Sequence, residues 1–440
     1  MMKGNVLLLN LPGFEHAVSS VSINLGIASI AAVLREGRVE VNILDLNLYE
    51  DYSEKLVQEI YKNKPCYIGF GVCTPQLYIA KSITETIRAI DNNICIICGG
   101  AHPSALPLET LNEIDVDIVC VGEADYTFLE IINNYENLKN VDGIYCKNYF
   151  MTKSRGNIID VEDLPFPALD LFEINKYIYP NQSCKNNPVT LIETSRGCPG
   201  NCIFCSRIIT GKKCRFKSAE RVVDEFIYAK KLGFQEIHLA DDNFITNTDR
   251  AIKICELLIE KKLEIPWVPR SGVRVDYVNN ILLEKMRKAK CYHIPYGIES
   301  TSQDVLNKCN KGITISQIEN AIKMAKDFGF ETTGYFMIGL PGQTVEDIKK
   351  DIEFATKTKL DFVKFGVTIP YPGTKLYSIL KDNNRIISNE WNKYHFAEQP
   401  FEIFIHENIS VKDFMKISIG DHKLHEVLNC ALDKNLQPVV

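Results

Sequence analysis

Short apolar runs alternate with helical patterns along most of this chain, and that alternation limits the folds it can adopt. Continuously apolar strands separated by helices are typical of parallel sheets in the α/β class. In the first third, the predicted strands are Val6–Asn10, Val39–Leu44, Tyr67–Phe70, Ile94–Cys98 and Ile118–Val121, and the predicted helices are Leu25–Glu36, Ser53–Lys62, Leu77–Ile90 and Tyr126–Asn134. This part of the chain predicts a doubly wound parallel sheet.

A second strand–helix repeat begins at Val189–Ser195. Its later predicted strands are Glu236–Ala240, Trp267–Ser271, Tyr292–Gly297, Glu331–Ile338 and Asp361–Thr368, and its predicted helices include Asp249–Lys261 and Asn280–Ala289. Ser218 is a candidate N-cap, and Thr344 with Asp347 matches a capping box. Six such units predict an open, partial (β/α)6 barrel, in which functional groups gather at the carboxyl ends of the strands.

Closely spaced prolines between residues 146 and 187 break regular structure, so we expect a linker there. We therefore divide the chain into residues 1–145, the linker 146–187, the barrel 188–385 and a C-terminal extension 386–440. The extension carries Trp391, Tyr394, His395, Phe396 and the run Phe401–His406. It is too short for a large core of its own, and we expect it to pack over the barrel mouth.

Three cysteines at the spacing CxxxCxxC, Cys198, Cys202 and Cys205, follow the first barrel strand. Three thiolates on one loop suit a cubane 4Fe–4S cluster that keeps its fourth iron open for a substrate. A zinc site is the competing interpretation. It is closed by four ligands and therefore needs Cys184 or Cys214 as well.

Composition narrows the class of protein. The chain has 15 cysteines without a signal-peptide pattern, and its N-terminal apolar run is far too short to span a membrane. We therefore expect a reducing, cytoplasmic setting rather than a disulfide framework. A net charge of −6 gives no basic footprint for nucleic acid. The local basic run of Lys212, Lys213, Arg215 and Lys217 indicates a solvated loop face or a contact with an anionic group.

The cysteine spacing, with Phe204 before the last cysteine, resembles the radical S-adenosylmethionine (SAM) enzymes. The resemblance implies that Cys198, Cys202 and Cys205 bind the cluster, that SAM chelates the open iron, and that Phe204 lies beside the adenine. A loop-packing role for Phe204 stays open. Asp241 and Glu299 follow barrel strands and are expected to contact SAM. For the adjacent acids Asp241 and Asp242, capping of the next helix or solvation is the alternative. Arg274 is expected to bind its carboxylate, with a structural salt bridge as the alternative.

Glycines end three strands of the first sheet, where doubly wound sheets bind ligands. They are Gly69 and Gly71, Gly99 and Gly100, and Gly122 with the adjoining Glu123. With Leu25-Gly26-Ile27-Ala28 and Gly100-Ala101-His102-Pro103, this segment resembles Rossmann-like cobalamin-binding domains, which implies cobalamin contacts at Gly71, Gly99, Gly100, His102, Gly122 and Glu123. The loop Asp-x-His-x-x-Gly of histidine-supplying domains is missing, and Asn47 stands near its place. We therefore expect cobalamin without a protein histidine on cobalt, His102 serving in a turn or a phosphate contact.

Together these features predict a cobalamin-dependent radical SAM methyltransferase acting on an unactivated carbon of a small-molecule or peptide substrate. The resemblance implies two uses of SAM, as methyl donor and as source of a 5′-deoxyadenosyl radical, and an electron donor such as a flavodoxin or ferredoxin. Three alternatives stay open. They are a related cyclase or oxidoreductase without methyl transfer, an RNA methylthiotransferase, and a zinc-stabilised binding protein.

Overall fold

The computed structural model describes residues 4–13, 22–147, 150–158, 160–180, 183–395 and 402–413. The chain forms two compact units. The first comprises residues 1–178, 206–211 and 371–374, and the second comprises the remaining residues. The predicted fourfold division of the chain stays a prediction, because compactness alone does not define domain boundaries.

A six-stranded sheet forms the centre of the first unit. Its strands are β1 (Val6–Asn10), β2 (Val41–Asp45), β3 (Tyr67–Gly71), β4 (Cys95–Gly99), β5 (Ile118–Cys120) and β6 (Ile144–Cys146). Its helices are α1 (Leu25–Glu36), α2 (Tyr52–Asn63), α3 (Leu77–Ile90), α4 (Ala101–Ala105), α5 (Pro107–Glu113) and α6 (Asp125–Asn133). The strand order is β2-β1-β3-β4-β5-β6.

The five predicted strands are confirmed and pair in parallel, and most of their residues are apolar and buried, as in a sheet covered on both faces. The order reverses between β1 and β3, which makes their carboxyl ends the switch point where doubly wound sheets bind ligands. The sequence missed β6, which pairs antiparallel with β5. Three residues are too few to form a recognisable apolar run.

The segment predicted as a linker is packed against the first unit over much of its length. The backbone amide of Ala168 donates to the carbonyl of Ala28 at 3.0 Å. The phenol of buried Tyr177 donates to Asp45 Oδ2 at 2.8 Å. The prolines thus interrupt regular structure without producing a loose connector.

The second unit is a strand–helix repeat that begins with β7 (Val189–Ile192). Its other strands are β8 (Ser195–Arg196), β9 (Arg215–Phe216), β10 (Glu236–Leu239), β11 (Trp267–Pro269), β12 (His293–Glu299), β13 (Glu331–Ile338) and β14 (Phe362–Val367). Its helices are α7 (Ala219–Leu232), α8 (Thr248–Glu260), α9 (Asn280–Lys288), α10 (Gln303–Lys308), α11 (Ile315–Asp327), α12 (Val345–Lys357) and α13 (Lys375–Asp382).

Six parallel strands of this unit form the predicted partial barrel. Strands β7, β10 and β11 make one sheet, and β12, β13 and β14 make another. Parallel bridges from Trp267 to Cys291 and from Val273 to Tyr296 join the two sheets in chain order. The predicted caps are also confirmed, since Ser218 accepts from the amide of Arg221 and Thr344 from that of Asp347.

The described part of the C-terminal extension contacts the turn after β13. His406 Nε2 lies 3.0 Å from the carbonyl of Leu340, and Glu407 accepts a hydrogen bond from the amide of Gly342. This turn follows the carboxyl end of a barrel strand, on the side where we expected the extension. Phe396 and Phe401 lie outside the described residues. Among the helices that the structure describes, none is long and apolar enough to cross a membrane.

Candidate active site

The cysteine loop is closed at its base by an antiparallel ladder between β8 and β9, which the sequence did not predict. The amide of buried Ile203 donates to the carbonyl of Cys309 at 3.0 Å, and its carbonyl accepts from Leu376 at 2.8 Å. Phe204 packs against the apolar cluster of Val305, Cys309 and Leu340. These anchors hold the apolar middle of the loop and support the loop-packing role for Phe204.

The three thiols share this loop with different exposures. Cys198 and Cys202 are half-buried, and Cys205 is exposed. Within the described residues, no three His, Cys, Asp or Glu side chains already stand in metal-binding geometry. The assignment of these cysteines as ligands therefore stays a prediction. The donor set nevertheless fits a 4Fe–4S cluster, because all three cysteines are at least partly accessible and are carried by one anchored loop.

Asp241 and Asp242 fasten the start of the loop to the end of β10. Buried Asp241 accepts from the amide of Thr194 at 2.7 Å, from its hydroxyl at 2.9 Å, and from the amide and hydroxyl of Ser195. Asp242 accepts from the amide of Gly197 at 2.8 Å. Burial raises the pKa of Asp241 to about 6, although the charge of Arg250 opposes the shift. The structure thus favours a positioning role for Asp241 over the SAM contact suggested by the sequence.

We expect Asp241→Asn to lower the free energy of unfolding by about 2 kcal/mol, because a neutral amide replaces a buried, multiply bonded acceptor. Iron retained after reconstitution should fall with it, because the loop start loses its anchor. Denaturant unfolding and iron analysis test both effects, with the exposed Asp224→Asn on α7 as the control. Unchanged stability and iron content in Asp241→Asn would refute the positioning role.

Arg274 lies beside the cysteine loop, but its guanidinium group already binds other protein groups. Its Nε and Nη2 bind the two carboxylate oxygens of Asp276 at 3.0 and 2.9 Å. Its Nη1 donates to the carbonyl of Lys311 at 2.9 Å. The structural salt bridge that rivalled a SAM contact is therefore present, and Arg274 helps to fix the backbone at Lys311.

Glu299 ends β12 at a register shift and has a φ of 67°, which is rare for a residue with a side chain. Its Oε1 accepts from Lys311 Nζ at 2.7 Å, and both side chains are largely buried. A Cβ on Gly297 would lie only 2.8 Å from that oxygen, so the glycine makes room for the pair. Backbone strain and a buried ion pair in one place are typical of a functional site.

Lys311 is the residue that sequence reasoning missed. Burial lowers its pKa, but the charges of Glu299 and Cys202 raise the pKa of Lys311 above its usual value. Burial raises the pKa of the Cys202 thiol, and the positive charge of Lys311 opposes this rise. The residue stands between Asn310 and Gly312, both with positive φ, in a turn without periodicity. That Asn-Lys-Gly turn was the only available signal.

The glycines of the first sheet differ in what they do. A Cβ on Gly100, whose φ is +100°, would lie 2.8 Å from backbone atoms of Val72, so this glycine is required by packing. A Cβ on Gly99 would meet Cys120 at an ordinary 3.6 Å. Gly71 and Gly122 have nothing within 4 Å of their Cβ positions. These two leave open space at the ligand edge of the sheet.

His102 and Glu123 are held within the fold. His102 is fully buried with Nδ1 3.3 Å from Thr74 Oγ1, and burial lowers the pKa of His102 to about 4. Buried Glu123 accepts from the amide of Ile158 at 2.7 Å. The protein thus holds both side chains in place, and their predicted cobalamin contacts stay predictions.

Two family models match the chain. The radical SAM superfamily matches residues 192–355, and the B12 binding domain matches residues 16–132. An uncharacterised methyltransferase of Pyrococcus horikoshii is 33% identical over 425 residues, covering 93% of this chain and 91% of that relative. The anaerobic magnesium-protoporphyrin IX monomethyl ester cyclase of Rubrivivax gelatinosus is 27% identical, covering 84% of this chain and 68% of that relative.

Two solved structures share the fold over most of the chain. The radical SAM methyltransferase TsrM of Kitasatospora setae, with cobalamin and a 4Fe–4S cluster bound, has a TM-score of 0.73 at 14% identity, covering 86% of this chain and 78% of its own. The cobalamin-dependent SAM radical enzyme OxsB has a TM-score of 0.75 at 20% identity, covering 90% of this chain and 64% of its own. The architecture described above is therefore shared with both.

Proposed function

Since this chain belongs to the cobalamin-dependent radical SAM methyltransferase family, we propose that it transfers a methyl group to an unactivated carbon of a small molecule or peptide. The cofactors of the family are a 4Fe–4S cluster, SAM and cobalamin. When bound, they supply a 5′-deoxyadenosyl radical and a carried methyl group, while the protein positions the reactants. A reducing, cytoplasmic setting is part of the proposal.

The observation that carries the proposal is the buried Glu299–Lys311 pair beside the cysteine loop. We assign Cys198, Cys202 and Cys205 as cluster ligands. Lys311 offers a cation to the carboxylate of SAM, and Glu299 offers a carboxylate to its amino group. The two charges match the zwitterionic amino acid group of SAM. They neutralise each other when no SAM is bound. The adenine contact of Phe204 stays a prediction.

For cobalamin, the support comes from the open positions of Gly71 and Gly122 at the edge of the first sheet. Asn47, near the place of a cobalt-binding histidine, is tied to the fold. It donates to the carbonyl of Leu11 at 2.9 Å and accepts from the amide of Gly13 at 2.7 Å. With His102 fully buried, we propose that cobalamin is held without a protein ligand to cobalt.

The test uses the full chain, reconstituted anaerobically with iron, sulfide and cobalamin, then reduced with a low-potential chemical reductant and given SAM labelled in its methyl group. We expect corrin absorption to co-purify through gel filtration and to become labelled. A cyclase, the second candidate because such relatives match most of the chain, would keep the corrin unlabelled. Iron–sulfur absorption without corrin would contradict the proposal.

Arg215 and Lys217 of the basic run are buried, whereas Lys212 and Lys213 are exposed. We further propose that an acidic one-electron donor, a flavodoxin or ferredoxin, docks at Lys212 and Lys213 beside the loop. Lys212 and Lys213 line an open cavity of about 550 Å³ together with Pro199 of the loop. Lys212 Nζ lies 3.3 Å from Asn201 Oδ1, also on the loop. Charge complementarity on such a rim acts mainly on the rate of association.

Charge reversal at Lys212→Glu and Lys213→Glu should slow reduction of the cluster by flavodoxin about tenfold or more at low salt. Reduction by dithionite should be unchanged, because a small chemical reductant needs no docking surface. The control reverses the exposed Lys230 and Lys231 in the last turn of α7, which makes the same change in net charge. Equal slowing by both double variants would indicate general electrostatics rather than a docking site.

A further inference from the structure

The inner face of the barrel carries a row of residues that the proposed cofactor chemistry does not use. Phe336 on β13 stacks on Phe365 of β14 and contacts Phe354 of α12, so these side chains face the helices. Because neighbours along a strand face opposite sides, Tyr335 and Lys364 point inward. They are paired directly in the sheet, and Gly297 is the partner of Tyr335 on β12.

Arg270, just beyond β11, reaches the same place. Its Nη1 donates to the phenol of Tyr179 at 2.6 Å. Its positive charge acts on both Tyr335 and Lys364. A Cβ on Gly272 would lie 3.5 Å from the Tyr335 ring, so the end of β11 borders this row. Two cationic side chains and a phenol therefore share one wall of the barrel.

The positive charge of Arg270 acts against that of Lys364. The Lys364 side chain is exposed, yet burial, followed by the charge of Arg270, lowers the pKa of Lys364. Two like charges on one wall of the barrel are stabilised when an anion enters between them.

The row leads back to the proposed SAM site. The Cβ position of Gly297 is 3.0 Å from Lys311 Nζ. Neighbouring strands are about 4.8 Å apart, so Lys364, two strands from Gly297, is about 10 Å from it. A molecule whose anionic group is held at Lys364 thus has to extend about 10 Å to reach the Glu299–Lys311 pair.

We propose that Arg270, Tyr335 and Lys364 bind an anionic group of the substrate, a carboxylate or a phosphoryl oxygen, inside the barrel. In calling the ligand a substrate, the proposal rests on the function proposed above. The anion site itself does not depend on that function. The proposal narrows the substrate class to molecules that carry an acidic group several bonds from the carbon that reacts.

The test probes the site with pyridoxal 5′-phosphate, an aldehyde that carries a phosphoryl group, followed by borohydride reduction and mass spectrometry of the full chain. We expect Lys364 to be labelled about tenfold faster than exposed Lys359, five residues earlier, because an anion site concentrates the probe. Arg270→Gln should remove the preference and Arg270→Lys should retain it. Protection by inorganic phosphate indicates a phosphoryl ligand, and protection by succinate indicates a carboxylate.

Equal labelling of Lys364 and Lys359, or preference for Lys364 that persists in Arg270→Gln, would overturn the anion site. The labelling needs no cluster, SAM or cobalamin. Its failure therefore leaves methyl transfer untouched. An unlabelled corrin alongside preferential labelling of Lys364 would remove only the proposed function.

Discussion

The Cys202→Ala variant is expected to retain less than about one iron per chain after reconstitution, against about four in the unsubstituted protein. With two thiolates left on the loop, a cubane cluster has lost a ligand to one of its irons. Cys202 is the cysteine of the loop that lies near Lys311 and Glu299, the proposed SAM contacts. Formation of 5′-deoxyadenosine should therefore fall to background as well. Iron and sulfide analysis, with the absorption spectrum, measures the first effect.

Cys214→Ala is the matched control, because this cysteine also borders the loop. Its Sγ lies 3.2 Å from the carbonyl of Gly197, and burial raises the pKa of Cys214 to about 11. We therefore expect Cys214 to stay a protonated thiol that binds no iron. The Cys214→Ala variant should keep the iron content of the unsubstituted protein. Loss of metal in Cys214→Ala, with zinc found in the unsubstituted chain, would point instead to a four-thiolate zinc site.

Lys311→Met should have the second largest effect, because it leaves Glu299 buried without its partner. Removal of one member of a buried ion pair costs about 3–5 kcal/mol in the free energy of unfolding. Affinity for SAM should fall about 100-fold or more, since the cation that receives the carboxylate is gone. Denaturant unfolding and equilibrium dialysis of SAM, both anaerobic, measure these changes.

The double variant Glu299→Gln with Lys311→Met separates the two effects. It removes both charges, so most of the stability should return, while SAM affinity should stay low. The exposed Lys308→Met, three residues earlier, should change neither quantity. A double variant that binds SAM as tightly as the unsubstituted chain would rule out the assigned roles of the pair.

Most of the architecture could be predicted because it depends on apolar periodicity. The strand Val6–Asn10 was predicted to the residue, since four consecutive apolar positions, all buried in the structure, are typical of a central parallel strand. The ladder between β8 and β9 could not be predicted, because strands of two residues are too short to show an apolar periodicity. The antiparallel strand at Ile144–Cys146 was missed for the same reason.

The candidate site was harder to predict, because chemistry depends on partners that are distant in sequence. Asp241 was selected for its type and its place after a strand, but four donors from Thr194 and Ser195 already bind it. Lys311 was missed because its importance comes from burial beside Glu299, not from a motif. The cysteine spacing was informative because all three groups lie within eight residues.

The most direct test of the account is the formation of 5′-deoxyadenosine by the anaerobically reconstituted, reduced full chain, with Cys202→Ala beside it. We predict at least one molecule per chain from the unsubstituted protein and background from the variant, since we propose that Cys198, Cys202 and Cys205 hold the cluster that cleaves SAM. No 5′-deoxyadenosine from the unsubstituted protein, or equal amounts from both, would contradict the central claim.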